Sequence, residues 1–465
     1  MRNRIKTIAA WLLVATLACG AFVAGAELRS WQTASTPPEN VSAPTYALLK
    51  LTPEWSPVTL ASTKQGTSEN RELVSDVLKL LKVHYVEPIT EERETAMAHG
   101  AVRGMLEQLS DSDSRFLDPK ERKLLDDAGS GRLRGIGAVL ALRNEKVGKL
   151  EITKIIVVAP MPGSPAETAG LKPGDSITHV DGKWIVTHDP FTTPEMEKLR
   201  VAVRNGEADE FTYQEAYEAA FKKLKEGIQI HDALESLTAK SPGEISMRVE
   251  RPGHKEPIES KLLCRGTEVD PVTGRMLKKG IAYIRISQFN KRAVREFAPE
   301  LEHARTNGAK ALVLDLRNNP GGLMESAKEV ACRITGGGVI ATIQEKGRQH
   351  TIKTPKARGL NMPVSVLING GTAGVAELVA GTLRENVAAS LVGAKTFGDG
   401  LLQTPLLLKD GSVAVLTTGK MLTAKGFDLE GRGLKPDKEV EQNERKGDAQ
   451  LEEAVETLLT KLRKG

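Results

Sequence analysis

The strongest constraint on the fold is an alternation of apolar strands and amphipathic helices in the second half of the chain. The run Ala309–Leu316 is almost wholly apolar, as expected for a strand of a parallel sheet that is covered on both faces. A second such run, Pro363–Ile368, precedes a helical pattern with an apolar stripe from Val375 to Leu383. This alternation predicts an α/β core in residues 257–445.

Two other segments have different periodicities. Residues 131–256 contain short β-branched runs separated by Gly and Pro turns, which predicts a small β module. A helical insertion interrupts the module at about residues 189–227, where Thr212–Glu215 has the form of a helix capping box. The insertion fits a partner surface, a lid or simple decoration, and the sequence does not choose among them.

Residues 69–130 predict a helical segment. Leu73, Val77 and Leu80 recur at helical spacing with Leu81 and Tyr85, and Pro88 ends the pattern. A second helix is predicted from about Glu91 to Leu109. At the other end, residues 446–465 predict a closing amphipathic helix.

The N-terminus predicts export. Basic residues precede an apolar run from Ile8 to Ala26 that ends in small residues, which is typical of a signal peptide and also long enough for an uncleaved membrane anchor. Residues 27–68 are rich in Ser, Thr and Pro and predict a linker. We therefore expect a secreted, periplasmic or otherwise extracytoplasmic protein, either released or tethered to a membrane.

Composition excludes several classes of function. The net charge of +5 is mild and Lys and Arg are not concentrated in one stretch, so we predict no nucleic-acid binding. The eight histidines are dispersed and no CxxC or HExxH motif occurs, so we predict neither a metal nor another cofactor. Beyond the leader, Cys264 and Cys332 are expected to be small buried side chains, with one disulfide as the alternative.

Motifs in these segments resemble, in order, the C-terminal processing (tail-specific) peptidases, secreted serine proteases that carry a PDZ domain. GIGAVL and APMPGSPAETAGLKPGDSITHVDGKWI resemble the PDZ module, and IAYIRISQF and LVLDLRNNPGGL resemble the core strands. NGGTAGVAELVAGTL resembles the nucleophile turn and its helix, and GAKTFGDGLLQT resembles a closing strand. The resemblance spans about residues 70–462. It implies a multidomain α/β protein with an N-terminal helical segment, a PDZ-like module and a protease core.

The resemblance also implies a serine–lysine dyad, in which a neutral buried lysine takes the proton of the serine nucleophile. Here the family's serine position is Gly374 and its lysine position is Asp399, while the glutamine that helps to hold the lysine is present as Gln403. Glycine has no oxygen to attack a carbonyl, and an ionised aspartate is a much weaker base than a neutral lysine. We therefore predict that no dyad is intact.

A displaced nucleophile is the alternative. Thr372 is expected to cap the following helix through its hydroxyl, and Ser365 to be a core-strand serine that is bonded to backbone. Lys395 is expected to be solvated or to face a partner. None of these side chains therefore predicts a rescued nucleophile–base pair.

Positions around the dyad imply further roles. The resemblance places the N–H groups that stabilise a developing oxyanion at Gly321, Gly322 and Val375, although these glycines also serve simply to turn the chain. Asp315 and Glu377 lie near the same turns as Asp399, but three carboxylates without histidine or a DxDxDG spacing are weak evidence for a metal site. We predict structural roles for them.

The PDZ-like module implies capture of a polypeptide C-terminus as an added strand. Ile230, Ala233 and Leu234 would line the groove, and a blocked groove is the alternative. The peptide-binding loop and strand are predicted at Gly135, Ile136, Gly137, Ala138 and Val139.

Taken together, the sequence predicts a catalytically inactive pseudopeptidase that binds protein C-termini or unfolded polypeptide. One alternative is an active serine-type endopeptidase with a displaced nucleophile. The other is a structural subunit of a homo- or hetero-oligomer.

Overall fold

Most of the chain beyond the linker is described by the structure, a computed structural model. It covers residues 56–57 and 68–464, with gaps at 110, 112, 148–149, 239–242 and 443–446. The predicted leader and nearly all of the predicted linker lie outside the described residues. No described helix is both long enough and apolar enough to cross a bilayer.

The N-terminal segment is mainly helical, as the sequence predicts. Its elements are β1 (Ser56–Pro57), α1 (Ser68–His84), α2 (Glu91–Glu107), β2 (Arg115–Leu117), α3 (Pro119–Gly129) and β3 (Arg132–Leu133). Helix α3 starts with a capping box, because Asp118 Oδ1 accepts the N–H of Glu121 and Glu121 Oε2 accepts the N–H of Asp118, at 2.8 and 2.7 Å. In α1, by contrast, no residue from Leu73 to His84 is fully buried.

A β module follows. Its elements are β4 (Ala138–Val147), β5 (Leu150–Pro160), α4 (Pro165–Thr168), β6 (Ser176–Val180), β7 (Lys183–Val186), a 3₁₀ turn (Pro190–Thr192), α5 (Pro194–Arg204), α6 (Glu210–Glu226), β8 (Ile228–Gln229), α7 (Ile230–Thr238), β9 (Gly243–Glu250) and β10 (Ile258–Cys264). The antiparallel strands run in the order β10-β9-β6-β5-β4. Helix α7 packs over them, and the core includes Leu140, Ile155, Leu234 and Val249. Within the described residues β4 pairs with β5 alone, so it is an edge strand.

Helices α5 and α6 occupy the insertion that interrupts this module. The expected capping box at Thr212 is wrong, because α6 begins at Glu210 and its N-cap is Asp209. The Asp209 carboxylate accepts hydrogen bonds from both the N–H and the hydroxyl of Thr212, at 2.7 and 2.5 Å. An aspartate three residues upstream therefore caps the helix instead of the threonine.

The C-terminal half forms two sheets. Its elements are β11 (Thr267–Glu268), β12 (Val272–Leu277), a 3₁₀ turn (Lys278–Gly280), β13 (Ile281–Ile286), α8 (Ala293–Thr306), β14 (Ala311–Asp315), α9 (Met324–Thr335), β15 (Gly338–Glu345), β16 (Arg348–Thr354), β17 (Val364–Ile368), α10 (Val375–Val387), β18 (Ser390–Gly393), β19 (Leu401–Leu407), β20 (Val413–Leu422), β21 (Lys438–Glu439) and α11 (Ala449–Lys464). The main sheet has the order β12-β13-β14-β17-β18-β21 and is parallel from β13 onward.

Helices cover both faces of the main sheet, which confirms the predicted α/β class. On one face, Phe297 of α8, Val330 of α9 and Leu378 of α10 share a core with Leu312 and Val366. On the other face, α11 packs Ala454 and Leu458 against the sheet. The second sheet has the order β1-β19-β20-β15-β16 and packs against the helices of the first face, and β2 also pairs with β20.

The β module and the C-terminal half share a further apolar cluster. Val139, Val158 and Met161 of the module lie in one buried group with Ala373 and Val415. Ala373 directly precedes α10, so this junction lies beside the turn that carries the predicted dyad position. Cys264 and Cys332 are both buried and free, which confirms the small-side-chain interpretation.

Candidate functional site

The fold brings the two predicted dyad positions face to face. Gly374 lies between β17 and α10, and Asp399 lies between β18 and β19. An ideal Cβ built on Gly374 is 3.5 Å from Asp399 Oδ2, and its next neighbour is Pro320 O at 3.8 Å. Gly374 has φ 57° and ψ −127°, a conformation that glycine adopts readily and other residues adopt only under strain. The backbone at Gly374 therefore has the sharp turn expected of a nucleophile position, although this residue has no side chain.

Asp399 lines a cavity of about 780 Å³ between the β4–β5 hairpin and the turns around residues 395–399 and 430–431. Its side chain is only 5% exposed. The Arg143 guanidinium lies over the Phe397 ring at 4.6 Å from its centroid, which joins the hairpin to the Asp399 turn. The charged groups in the cavity wall are Asp111, Asp113, Arg143, Lys395, Asp399 and Glu430.

Glu377 is the buried centre of this arrangement. Its Oε2 accepts the N–H groups of Gly374 and Asp399 at 3.1 and 2.8 Å, and its Oε1 accepts the N–H of Gly398 at 2.9 Å and the hydroxyl of Thr396. Burial raises the pKa of Glu377 to about 8; the nearby Asp399 carboxyl adds to this rise, and the hydrogen bonds oppose it. One carboxyl group thus ties the start of α10 to the Asp399 turn.

The retained glutamine, Gln403, is fully buried on β19. Its Nε2 donates to Thr417 Oγ1 at 2.6 Å, whereas its Oε1 has no hydrogen-bond partner within the described residues. A buried amide oxygen without a donor is costly. If residue 399 were a lysine, its amine would be a candidate donor to Gln403 Oε1.

The predicted oxyanion positions are only partly available. The N–H of Gly321 is already committed, because it donates to Asn319 Oδ1 at 2.9 Å. Val375 is the first residue of α10 and so has no intrahelical acceptor, and an ideal Cβ on Gly321 lies 3.3 Å from its N atom. The N–H of Gly322 has no acceptor among the described residues. Gly322 and Val375 are therefore the remaining donors.

The alternative nucleophiles have structural positions. Thr372 is fully buried, and its hydroxyl donates to Leu316 O at 2.8 Å and accepts the Asn369 N–H at 3.0 Å. It joins the ends of β14 and β17, so the expected helix cap is wrong. Ser365 is buried within β17 as expected, but its Oγ lacks any partner within the described residues, so the expected backbone bond is also wrong. Lys395 is exposed on the cavity rim.

Of the three carboxylates considered as metal ligands, Asp315 lies apart from the neighbouring Glu377 and Asp399. Asp315 accepts the hydroxyl of Tyr283 at 2.7 Å and forms an ion pair with Arg317 at 2.6 Å, and it lines a different cavity from Asp399. Within the part of the chain that the structure describes, no group of three or more His, Cys, Asp or Glu residues is arranged to hold a metal ion.

The predicted peptide-binding loop closes onto the end of α7. The N–H of Ile136 donates to Leu237 O at 2.9 Å, so it is not available to bind a carboxylate. Gly135 has φ 68°, and a Cβ there would lie 2.1 Å from Leu237 O, so only glycine fits. Ala138 begins the edge strand β4, but Val139 faces the junction with the core and not the groove. Leu142 and Ile230 are partly buried and pack against the core of the module, and Leu142 also lines the cavity that contains Asp399. Ala233 and Leu234, which were predicted to line the groove, are buried in that core.

Two features of the site were missed in the sequence. Glu377 was predicted only as a helix-opening residue, but its position three residues after Gly374 matches the N3 position that reaches back to an N-cap N–H. The contact between Arg143 and Phe397 has no local signal, because more than 250 residues separate the two positions in the chain.

Comparisons with known proteins agree with this architecture. The family model described as "Peptidase family S41" matches residues 280–440, and the family model described as "PDZ domain" matches residues 156–190. The PDZ match therefore ends where the insertion begins.

Full-length relatives and a solved structure are also similar. The carboxyl-terminal-processing protease of Synechocystis is 30% identical over 369 residues, which cover 78% of this chain and 75% of that protein. CtpA of Bacillus subtilis is 30% identical over 342 residues, or 73% of this chain, and the chain spans only 63% of that relative's length. The photosystem II D1 C-terminal processing protease superposes with a TM-score of 0.57 at 24% identity, over 81% of this chain and 94% of that structure. This last likeness shows the fold alone.

Proposed function

The chain belongs to the C-terminal processing peptidases of family S41, and from that premise we propose that it is a member that binds polypeptide ends without hydrolysing them. The observation that carries the proposal is the pair Gly374 and Asp399. These positions face each other across 3.5 Å, measured from an ideal Cβ to Oδ2. Between them there is no hydroxyl to form an acyl-enzyme and no amine to accept its proton.

The two catalytic side chains of the family are absent, but the hydrogen bonds that connect the surrounding turns are present. Glu377 still joins the start of α10 to the Asp399 turn through three backbone N–H groups. The N–H groups of Gly322 and Val375 have no acceptor among the described residues, which supports a role for them in holding a substrate carbonyl. Such donors stabilise a bound peptide as well as an oxyanion. A site of this kind holds a peptide backbone but has no group that attacks it.

Peptide binding at the β module is supported by the edge strand β4 and by partly buried apolar side chains on β4 and α7. An incoming C-terminal strand would pair with β4, and its carboxylate would meet the amides of Gly137 and Ala138. Leu142 of β4 and Ile230 of α7 are partly buried apolar residues, so we expect a preference for an apolar last residue. We place this activity outside the cytoplasm, because the N-terminal sequence predicts export.

Fluorescence anisotropy tests the binding. The probe is a labelled decapeptide that ends in leucine, with either a free carboxylate or an amide at its C-terminus. We expect the full chain to bind the carboxylate form at least about tenfold more tightly. Leu142→Glu should weaken this binding by about tenfold or more, since it places a charge at a partly buried apolar position of β4.

Leu263→Glu is the matched control. Leu263 lies on β10 and is 63% exposed, so its replacement should leave the affinity unchanged. Equal affinity of the chain for both forms of the peptide, or equal affinity in the wild type and Leu142→Glu, would remove the groove from the proposal.

The alternative of an active endopeptidase has less support. It requires a hydroxyl that is free to attack, whereas Thr372 is bonded through its oxygen to Leu316 and Asn369. Ser365 is fully buried within a central strand, away from any opening to solvent.

A further inference from the structure

The cavity beside Asp399 combines an acidic interior with an apolar wall. We propose that it holds the side chain of a lysine in the bound polypeptide, whose ammonium group donates hydrogen bonds to the Asp399 carboxylate. The inference rests on the proposed function, because it names a side chain that the bound polypeptide carries. It adds a second point of recognition to the terminal carboxylate.

The acidic side chains of the cavity are more buried than the basic ones. Both basic residues of its wall, Arg143 and Lys395, are exposed. The acidic residues are one buried and three partly buried side chains, namely Asp399 and then Asp111, Asp113 and Glu430. A cleft lined mainly by one sign of charge attracts the opposite sign, and its low-dielectric walls strengthen that attraction. The interior therefore favours a cationic group.

The apolar part of the wall fits the stem of a lysine. It is formed by the side chains of Ala141, Leu142, Ile156, Phe397 and Leu401. A lysine carries its ammonium group on four methylene groups, so it buries apolar surface while its charge meets an acid. Ala141 and Leu142 belong to β4, the edge strand with which the polypeptide would pair. A side chain of that polypeptide therefore lies within reach of the cavity.

A buried oxygen near the cavity lacks a donor. Gln403 is fully buried, and its Oε1 has no hydrogen-bond partner within the described residues. On β19, Leu401 lines the cavity and Leu402 packs against the main core, so the alternation of side chains directs Gln403 to the cavity side. An ammonium group has three N–H donors. It can therefore supply this oxygen as well as the Asp399 carboxylate.

Hydrogen bonds also connect Gln403 to the cavity wall. Its Nε2 donates to Thr417 Oγ1 at 2.6 Å, and the N–H of Thr417 donates to Ser114 Oγ at 3.0 Å. The Ser114 hydroxyl donates in turn to Asp111 Oδ2 at 2.6 Å. This chain ends at an acid of the cavity and holds the Gln403 amide in place, so Oε1 is a fixed acceptor.

Other cations fit this cavity less well. A metal ion needs more oxygen ligands than one carboxylate and one amide, and no group of three or more His, Cys, Asp or Glu residues in the described part of the chain is arranged to hold one. The planar guanidinium of an arginine favours an aromatic face, but Arg143 already covers Phe397. A terminal α-amine has no stem to reach Asp399, which is only 5% exposed.

Fluorescence anisotropy with a lysine scan tests the proposal. The probes are labelled decapeptides that end in leucine with a free carboxylate, and each carries lysine, arginine or norleucine at one of the other positions. Norleucine keeps most of the apolar stem without the charge. At one or two positions, we expect the full chain to bind the lysine peptide about tenfold or more tightly than the norleucine peptide. The arginine peptide should bind less tightly than the lysine peptide.

Asp399→Asn removes the charge with little change of shape, and its circular dichroism checks the fold. It should lower the ratio of the lysine and norleucine affinities to about one. Glu259→Gln is the matched control, because Glu259 lies on β10 and its side chain is 65% exposed; it should keep the wild-type ratio. Equal affinities for lysine and norleucine peptides at every position, which need no variant, would overturn the proposal. A lysine preference that persists in Asp399→Asn would overturn it as well.

A second measurement does not depend on the β module. Saturation-transfer NMR with Nα-acetyl-lysine amide detects whether the methylene protons of the lysine side chain contact the protein. We expect a signal with the wild type and with Glu259→Gln, and less than about half of it with Asp399→Asn. This result, together with no binding of any decapeptide, would support the lysine site and refute the proposed capture of C-termini. Equal signals from the wild type and Asp399→Asn would refute the lysine site itself.

Discussion

The pKa of Glu377 makes a quantitative prediction about stability. This carboxyl is fully buried, and its pKa is raised from 4.5 to about 8. Below pH 4.5 the folded and unfolded chains are both protonated at this group, so its contribution to stability is fully present. Between pH 4.5 and 8 the unfolded chain releases the proton and the folded chain keeps it, so the free energy of unfolding falls as the pH rises. The loss is about 1.4 kcal/mol per pH unit, or about 5 kcal/mol in all.

Glu377→Gln isolates this effect. Glutamine does not ionise, so its contribution is independent of pH in this range. Its amide nitrogen also meets backbone N–H donors, those of Gly374 and Asp399 or that of Gly398, and this mismatch costs about 1–3 kcal/mol. We therefore expect the variant to be less stable than the wild type at pH 5. The difference should shrink as the pH rises. It should reverse between about pH 5 and pH 7, where the loss of about 1.4 kcal/mol per pH unit in the wild type comes to equal the cost of the mismatch.

Urea-induced unfolding followed by far-UV circular dichroism between pH 5 and 8.5 measures the difference. Glu121→Gln is the matched control, because burial raises the pKa of Glu121 to about 7 and this group pairs with Arg103 at 3.0 Å. Its replacement should remove a separate part of the pH dependence and leave that of Glu377 intact. A constant stability difference between the wild type and Glu377→Gln across this range would refute the reasoning, because Glu377 would then be ionised in the fold throughout.

The two buried hydroxyls near the site should behave differently when removed. Ser365→Ala should be neutral or stabilising by up to about 1 kcal/mol in urea-induced unfolding, because it deletes an oxygen that has no partner within the described residues; clear destabilisation would reveal a bond to that oxygen. Thr372→Ala should destabilise the chain by about 1–3 kcal/mol, because it leaves Leu316 O and Asn369 N–H unpaired; an unchanged unfolding midpoint would contradict this structural role.

Local pattern was sufficient to predict the fold class and much of the element order. The apolar run that forms β14 and the periodicity that forms α10 are direct consequences of burial on both faces of a sheet. The predicted capping box at Thr212 was wrong because this short stretch contains two residues that are typical of N-caps, Asp209 and Thr212. The helix is capped by the earlier one, Asp209.

The sequence predicted only part of the site. Motif order alone predicts that Gly374 and Asp399 share one site, because the turns that carry them have recognisable sequences. The sequence did not predict that the N–H groups of Gly321 and Ile136 are already hydrogen-bonded. Each donates to an acceptor whose position depends on tertiary packing. The apolar spacing of α1 predicted a helix but not its exposure: no residue from Leu73 to His84 is fully buried.

Turnover of an unfolded protein substrate, followed by mass spectrometry, tests most directly whether the chain cuts what it binds. We expect no cleavage products from the purified full chain, and slow hydrolysis from Gly374→Ser/Asp399→Lys. In this variant the new serine takes a strained conformation with φ 57°, but its Cβ has room, since Pro320 O lies 3.8 Å away. Hydrolysis by the wild-type chain that survives repurification and disappears on replacement of a single hydroxyl residue would contradict the account.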